Sequence, residues 1–152
     1  MNSDLIELFE NKIPDQIYSA FFDKSNGVDK IKLDYLNDQL RYFDNLIEDN
    51  EKWPVSNSLF EKTGIRYFSK VHKKYELYRE HAIEVDKRVK GGISKLQQNY
   101  TKYELYKWFY DTLYLVYKLK SEHDESKNGG KLVETLLPEE FHRKDKWEKF
   151  NN

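Results

Sequence analysis

The sequence predicts an all-α protein: a bundle-like domain of four helices, then a short C-terminal helix on a linker. Three observations lead there. Apolar residues recur every three to four positions through most of residues 1–121, the period of helices with one buried side. Ser58-x-x-Glu61 and Thr101-x-x-Glu104 have the spacing of capping boxes, which open helices. The pentapeptide Lys-Tyr-Glu-Leu-Tyr occurs twice, at 74–78 and 102–106, each copy followed by a base, Arg79 or Lys107. The 28-residue offset is four heptads, so in one continuous helix both copies would face nearly the same way.

Residues 3–24 read as one helix or two short ones, with Leu5, Phe9, Ile13, Ile17 and Phe21 four apart. Pro14 has no N–H to donate, so a break is expected near Ile13, with Pro14 opening a new first turn. Ser25-Asn26-Gly27 reads as a turn. Residues 28–49 form the clearest early helix: Leu33, Leu36, Leu40, Phe43 and Ile47 step by three and four, and Asp34, Asp38, Arg41, Asn45 and Glu48 fall opposite. Residues 50–57 form a loop in which Pro54 holds Trp53 extended, its indole expected as a lid over the bundle.

A long third helix is expected from Ser58 to Val89. Its stripe is Phe60, Gly64, Tyr67, Val71, Tyr75, Tyr78, Ala82, Val85 and Val89, and Gly91-Gly92 is expected to stop it. The fourth helix is expected from Thr101 to about Lys120. Leu105, Phe109, Thr112, Val116 and Leu119 make one stripe; Tyr103, Tyr106, Tyr110, Tyr114 and Tyr117 make a second. Tyrosine has a polar end that needs a partner or water, so this second stripe is either the boundary of the core or an interface. Residues 1–121 are thus expected as the helical bundle and residues 122–137, with Gly129-Gly130, as a polar linker. Residues 138–150 are expected as a short amphipathic helix opened by Pro138-Glu139-Glu140 and anchored by Phe141, Trp147 and Phe150.

A chain of 152 residues implies one domain, large enough to bury a core unaided. It has no cysteine, which excludes disulfides, thiolate metal sites and cysteine catalysis and makes a reducing cytoplasm the expected compartment. The first residues are acidic (Asp4, Glu7, Glu10) and lack the apolar core of a secretory signal. No apolar run is long enough to span a bilayer, and no membrane partner is expected. The bias towards Lys, Asn, Tyr, Glu and Asp is that of an AT-rich genome and suggests a low-GC bacterium, its phage or a mobile element. Net charge is −1 but segregated: −6 over residues 1–56, +7 over 57–121 and −2 over 122–152. Acidic helices packed beside a basic one would account for this; a basic face for an anionic partner is the functional alternative.

The chain has no Gly-rich phosphate loop, no Gly-x-Ser-x-Gly and no His-Glu-x-x-His. Glu139-x-x-His142 has a di-iron spacing, but such a site needs a second copy and two further glutamates. No metal and no cofactor are expected. His72 with Glu76, and Glu80 with Glu84, read as solvated helical pairs.

Arg66-Tyr-Phe-Ser-Lys-Val-His72 is Arg-x5-His. Within those seven residues it resembles the signature of HEPN ribonucleases, compact all-α proteins of bacterial defence systems that cut RNA without metal. The resemblance implies acid–base work by His72 and phosphate stabilisation by Arg66 across a dimer. The chain departs from that family in that Tyr67, not a polar residue, follows the arginine, and some 80 residues follow the motif. Arg79-Glu80, Leu105, Trp108 and Leu115-Val116 are also similar in spacing to the small helical subunit of type III CRISPR complexes.

The function expected is therefore that of a non-enzymatic helical interaction protein: a subunit, adaptor or inhibitor. Its partner is another protein or a second copy of itself, met through Tyr103, Tyr106, Tyr110, Tyr114, Tyr117, Phe141 and Trp147. The alternative is RNA or DNA binding through Arg66, Lys70, Lys73, Lys74, Lys87 and Arg88, as a ribonucleoprotein subunit or a HEPN-like nuclease with Arg66 and His72 as its catalytic pair.

Overall fold

In the computed structural model, residues 3–24, 30–48, 51–69 and 77–121 are described. They form α1 (Ser3–Asn11), α2 (Asp15–Lys24), α3 (Lys30–Glu48), β1 (Trp53–Pro54), α4 (Asn57–Thr63), β2 (Tyr67–Phe68), β3 (Leu77–His81), α5 (Val85–Gln97), α6 (Lys102–Thr112) and β4 (Leu115–Leu119). Two small antiparallel sheets, β1-β2 and β3-β4, stand among the helices. The predicted all-α four-helix bundle is thereby corrected: the fold is mostly helical with strands inserted. The chain divides into two compact units, Met1–Glu48 with Val85–Thr112, and Asp49–Glu84 with Leu113–Asn152. The predicted linker at 122–137 and terminal helix at 138–150 lie outside the described residues.

The first unit is helical and keeps the early expectations. α1 ends at Asn11 and α2 begins at Asp15, so Pro14 breaks the helix where its missing N–H requires. Phe9, Ile13, Ile17 and Phe21 are buried, as are Leu36, Leu40, Phe43 and Ile47 of α3. The rings of Phe9, Phe21, Phe43, Tyr106 and Phe109 form one cluster with centroids 5.0–6.4 Å apart. Thr101 and Glu104 complete the predicted capping box. The Thr101 N–H donates to Glu104 Oε1 at 3.1 Å and the Glu104 N–H to Thr101 Oγ1 at 3.2 Å.

Gly91 and Gly92 do not stop a helix; both lie inside α5. A Cβ on Gly92 would sit 2.7 Å from Phe109 Cε1, and one on Gly91 would meet the Trp108 indole. The glycines thus let α5 approach the α6 side chains closely. α5 ends instead at Gln97 and is closed by Asn99, whose φ of 65° is left-handed. There the Asn99 N–H donates to the Leu96 carbonyl and the Tyr100 N–H to the Lys95 carbonyl, the paired bonds of a Schellman end.

In the second unit the predicted third helix is overturned. Of its described residues, those within Asn57–Thr63 and Val85–Val89 are helical, while Tyr67–Phe68 and Leu77–His81 are strands. α4 is capped by Ser56 rather than Ser58, Ser56 Oγ accepting from the Leu59 N–H at 3.2 Å. It stops at Gly64, whose φ of 74° suits a residue without Cβ. Trp53 is extended before Pro54, as expected, but it is buried in the core of this unit and is no lid. The predicted fourth helix stops at Thr112, and Leu115–Leu119 becomes a strand. β4 pairs antiparallel with β3, Arg79 opposite Tyr117, and on its other side Val55 bridges Tyr117. Leu115, Val116, Tyr117 and Lys118 are all buried, so both faces of β4 are covered. Tyr117 stacks on Phe68 with centroids 3.7 Å apart.

Candidate functional site

Three of the five stripe tyrosines turn inward. Tyr106 is buried in the first unit, and Tyr114 and Tyr117 are buried in the second. Tyr103 and Tyr110 are half-buried, and Tyr103 Oη donates to Glu10 at 2.6 Å. That bond raises the Tyr103 hydroxyl above its ordinary range. A bond from Lys102 to Asp15, 2.8 Å, likewise raises the lysine. Phe141 and Trp147 lie outside the described residues.

Tyr106 clamps the α1–α2 corner. Its hydroxyl donates to the Pro14 carbonyl at 2.9 Å and accepts from the Tyr18 N–H at 3.0 Å, bridging two backbone groups of the first turn of α2; the Pro14 carbonyl also accepts from the Ile17 N–H at 3.3 Å. Tyr106→Phe should cost about 1–2 kcal/mol in urea unfolding. Burial also holds this hydroxyl well above the usual tyrosine range. Above a pH of about 10 the unfolded chain loses that proton while the folded chain keeps it. Stability is therefore whole below that pH and should fall above it, by about 1.4 kcal/mol per pH unit from this group. Tyr106→Phe should remove that part of the alkaline slope; an unchanged slope would place the titration elsewhere.

Of the predicted nucleic-acid residues, Arg66 and Lys87 are exposed, while Lys70, Lys73 and Lys74 lie outside the described residues. Arg88 is buried in the first unit. It forks onto Asp44, Nη1–Oδ2 2.7 Å and Nη2–Oδ1 3.1 Å, and it also donates to Thr112 Oγ1 and to the Phe109 carbonyl. Its cation is spent inside the fold and does not meet a phosphate. Arg66 stands in a non-helical segment before β2, whereas the HEPN resemblance puts it within a helix; His72 lies outside the described residues. Arg79-Glu80 and Leu115-Val116, which carry the resemblance to the CRISPR small subunit, are on strands. Glu80 is buried and ion-paired with Lys118 at 2.7 Å, so it forms no solvated helical pair with Glu84. Among the described residues no group of three or more His, Asp or Glu could hold a metal, and Glu139 and His142 lie outside them.

What the surface does offer is aromatic. Phe22 of α2 is 58% exposed, and Tyr35 and Tyr42 of α3 are 43% and 46% exposed. None of these three figured among the predicted site residues. Phe22 follows Phe21 and is turned 100° from it on α2, and of the two only Phe21 reaches the core. Tyr35 and Tyr42 are seven apart, off an apolar stripe that Leu36, Leu40, Phe43 and Ile47 already complete. The signal was present in the spacing, but on a polar flank that read as solvated. Tyr35 and Tyr42 share that outer face with Asp34 and Asp38, both exposed; Arg41 falls on its far flank.

No protein family matches this chain, and neither a curated protein nor a solved structure was found to resemble it. No helix among the described residues is long and apolar enough to cross a membrane.

Proposed function

We propose that this chain is a non-enzymatic interaction protein, a subunit, adaptor or inhibitor that meets a protein partner through aromatic side chains on the outer faces of its N-terminal helices. One observation carries the reading: Phe22, Tyr35 and Tyr42 are large, on regular helices rather than loop tips, and left at the surface of a unit whose core is already complete without them. Aromatic residues are enriched at interfaces because they bury much area for little rotamer entropy. The aromatic-rich helical face is thus moved from α6, where Tyr106 serves the core, to α2 and α3. The absence of cysteine supports the cytoplasm as compartment.

The test is differential. Tagged wild type and the variant Phe22→Ser/Tyr35→Ser/Tyr42→Ser are used to recover crosslinked partners from the native host. The substitutions are at the surface, so helicity and the unfolding midpoint should hold to within about 0.5 kcal/mol. A partner recovered by wild type should be lost from the variant. Equal recovery by both would sink the reading. A 260 nm absorbance on the purified wild type, removed by salt, would replace it with nucleic-acid association.

A further inference from the structure

Most acids on the first unit's surface are engaged within it. Asp15 pairs with Lys102, Glu10 accepts from Tyr103, Asp86 pairs with Lys90 and Asp111 with Lys107. Asp34 and Asp38, like Glu7 and Asp23, stand apart from these pairs. They are exposed, and among the described residues their side chains make no hydrogen bond or ion pair. The rings of Tyr35 and Tyr42 likewise make none and touch no other ring. Tyr35, Asp38 and Tyr42 step by three and four, so they form one strip along α3, with Asp34 one turn before Asp38. The two tyrosines are about 10 Å apart along the axis, the length of about three residues of extended peptide.

We propose that this strip is the docking site for a basic peptide segment of the protein partner. Asp34 and Asp38 take its Lys or Arg cations, and the Tyr35 and Tyr42 rings pack on the aliphatic stems and faces of those side chains. The proposal deepens the interaction reading above and rests on it. Charge complementarity selects the occupant. The strip itself is acidic, and the first unit, which carries it, is net negative: −5 over residues 1–48 against +3 over residues 85–112, a balance that favours a cationic segment over an anionic one. A carboxylate between two phenol rings suits a guanidinium or ammonium, which gains from both the charge and the ring faces. The strip's two carboxylates repel a phosphate.

The probe is a fluorescein-labelled peptide of alternating arginine and alanine, titrated by anisotropy against the full chain at low salt. A glutamate–alanine peptide is the control. The wild type should bind the basic peptide saturably and the acidic one not at all, with affinity falling as salt rises. Asp34→Asn/Asp38→Asn and, separately, Tyr35→Ser/Tyr42→Ser should each weaken binding about tenfold or more. Asp23→Asn/Glu61→Gln removes the same charge from exposed positions elsewhere and should leave it unchanged. Absent binding, or equal loss in that last variant, overturns the proposal. So does a wild-type dimer by light scattering that the tyrosine substitutions dissociate, since a second copy would then be the occupant. If the peptide fails while Phe22→Ser/Tyr35→Ser/Tyr42→Ser still loses its cellular partner, the interaction reading stands and only the basic chemistry falls.

Discussion

Arg88→Met should remove about 3–5 kcal/mol of stability, because it leaves the Asp44 carboxylate in a fully buried site without its counter-charge. Native domains hold only about 5–15 kcal/mol in all, so the variant should be largely unfolded well below the wild-type urea midpoint. The size follows from geometry. Both side chains are 0% exposed, the guanidinium meets both carboxylate oxygens, and Nε and Nη2 also serve Thr112 Oγ1 and the Phe109 carbonyl. The pair therefore links α3, α5 and α6 in one network within the first unit. Asp44→Leu/Arg88→Met should recover most of the loss, since apolar groups of similar volume avoid the desolvation of both charges. Arg88→Lys should fall between, as an ammonium cannot reproduce the planar fork. Tryptophan fluorescence against urea reads all three. An Arg88→Met variant within about 1 kcal/mol of wild type would mean that the carboxylate finds water, and the buried network would be refuted.

Gly92→Ala should destabilise by about 1–3 kcal/mol, against the direction that helix propensity alone dictates. In an exposed helix interior the same change would stabilise by about 1 kcal/mol, through reduced freedom of the unfolded chain. Here the added methyl would lie 2.7 and 2.8 Å from Phe109 Cε1 and Cζ, well inside ordinary carbon contact. Phe109 cannot swing aside, because it is fully buried and packs on both Phe21 and Phe43. Gly91→Ala should cost less. Its neighbour is the half-buried Trp108, which has room to move outward. Paired thermal melts of the two variants decide the matter. A Gly92→Ala protein that melts higher than wild type would show that α5 and α6 are not held this close.

Much of the first unit was legible in the sequence. The Pro14 break, the stripe through α3 and the Thr101–Glu104 box are local features, and each depends on residues within a few positions of one another. The candidate site was less so. Tyr35 and Tyr42 stood out only once the core was known to be complete without them, and burial is a sum over neighbours distant in sequence. Arg88 looked like one of several terminal-turn bases. Its role depends on Asp44, 44 residues earlier, which no local pattern pairs with it.

The two Lys-Tyr-Glu-Leu-Tyr copies mark the boundary between these kinds of information. By itself the sequence determined that residues 102–106 open a helix, because Thr101 precedes them and the capping-box bonds form within one turn. Lys73 precedes the first copy and offers no cap. The sequence did not determine that Leu77 and Tyr78 of that copy belong to a strand, with Leu119 and Lys118 opposite them. Tyr106 is buried and clamps a corner, while its counterpart Tyr78 is 40% exposed on a sheet. Helix propensity is worth only tenths of a kcal/mol per residue, whereas pairing with β4 satisfies backbone groups and buries side chains. Only the tertiary structure supplies that strand, from residues some 40 positions later in the chain, and that is why Leu77-Tyr78 is extended where Leu105-Tyr106 is helical.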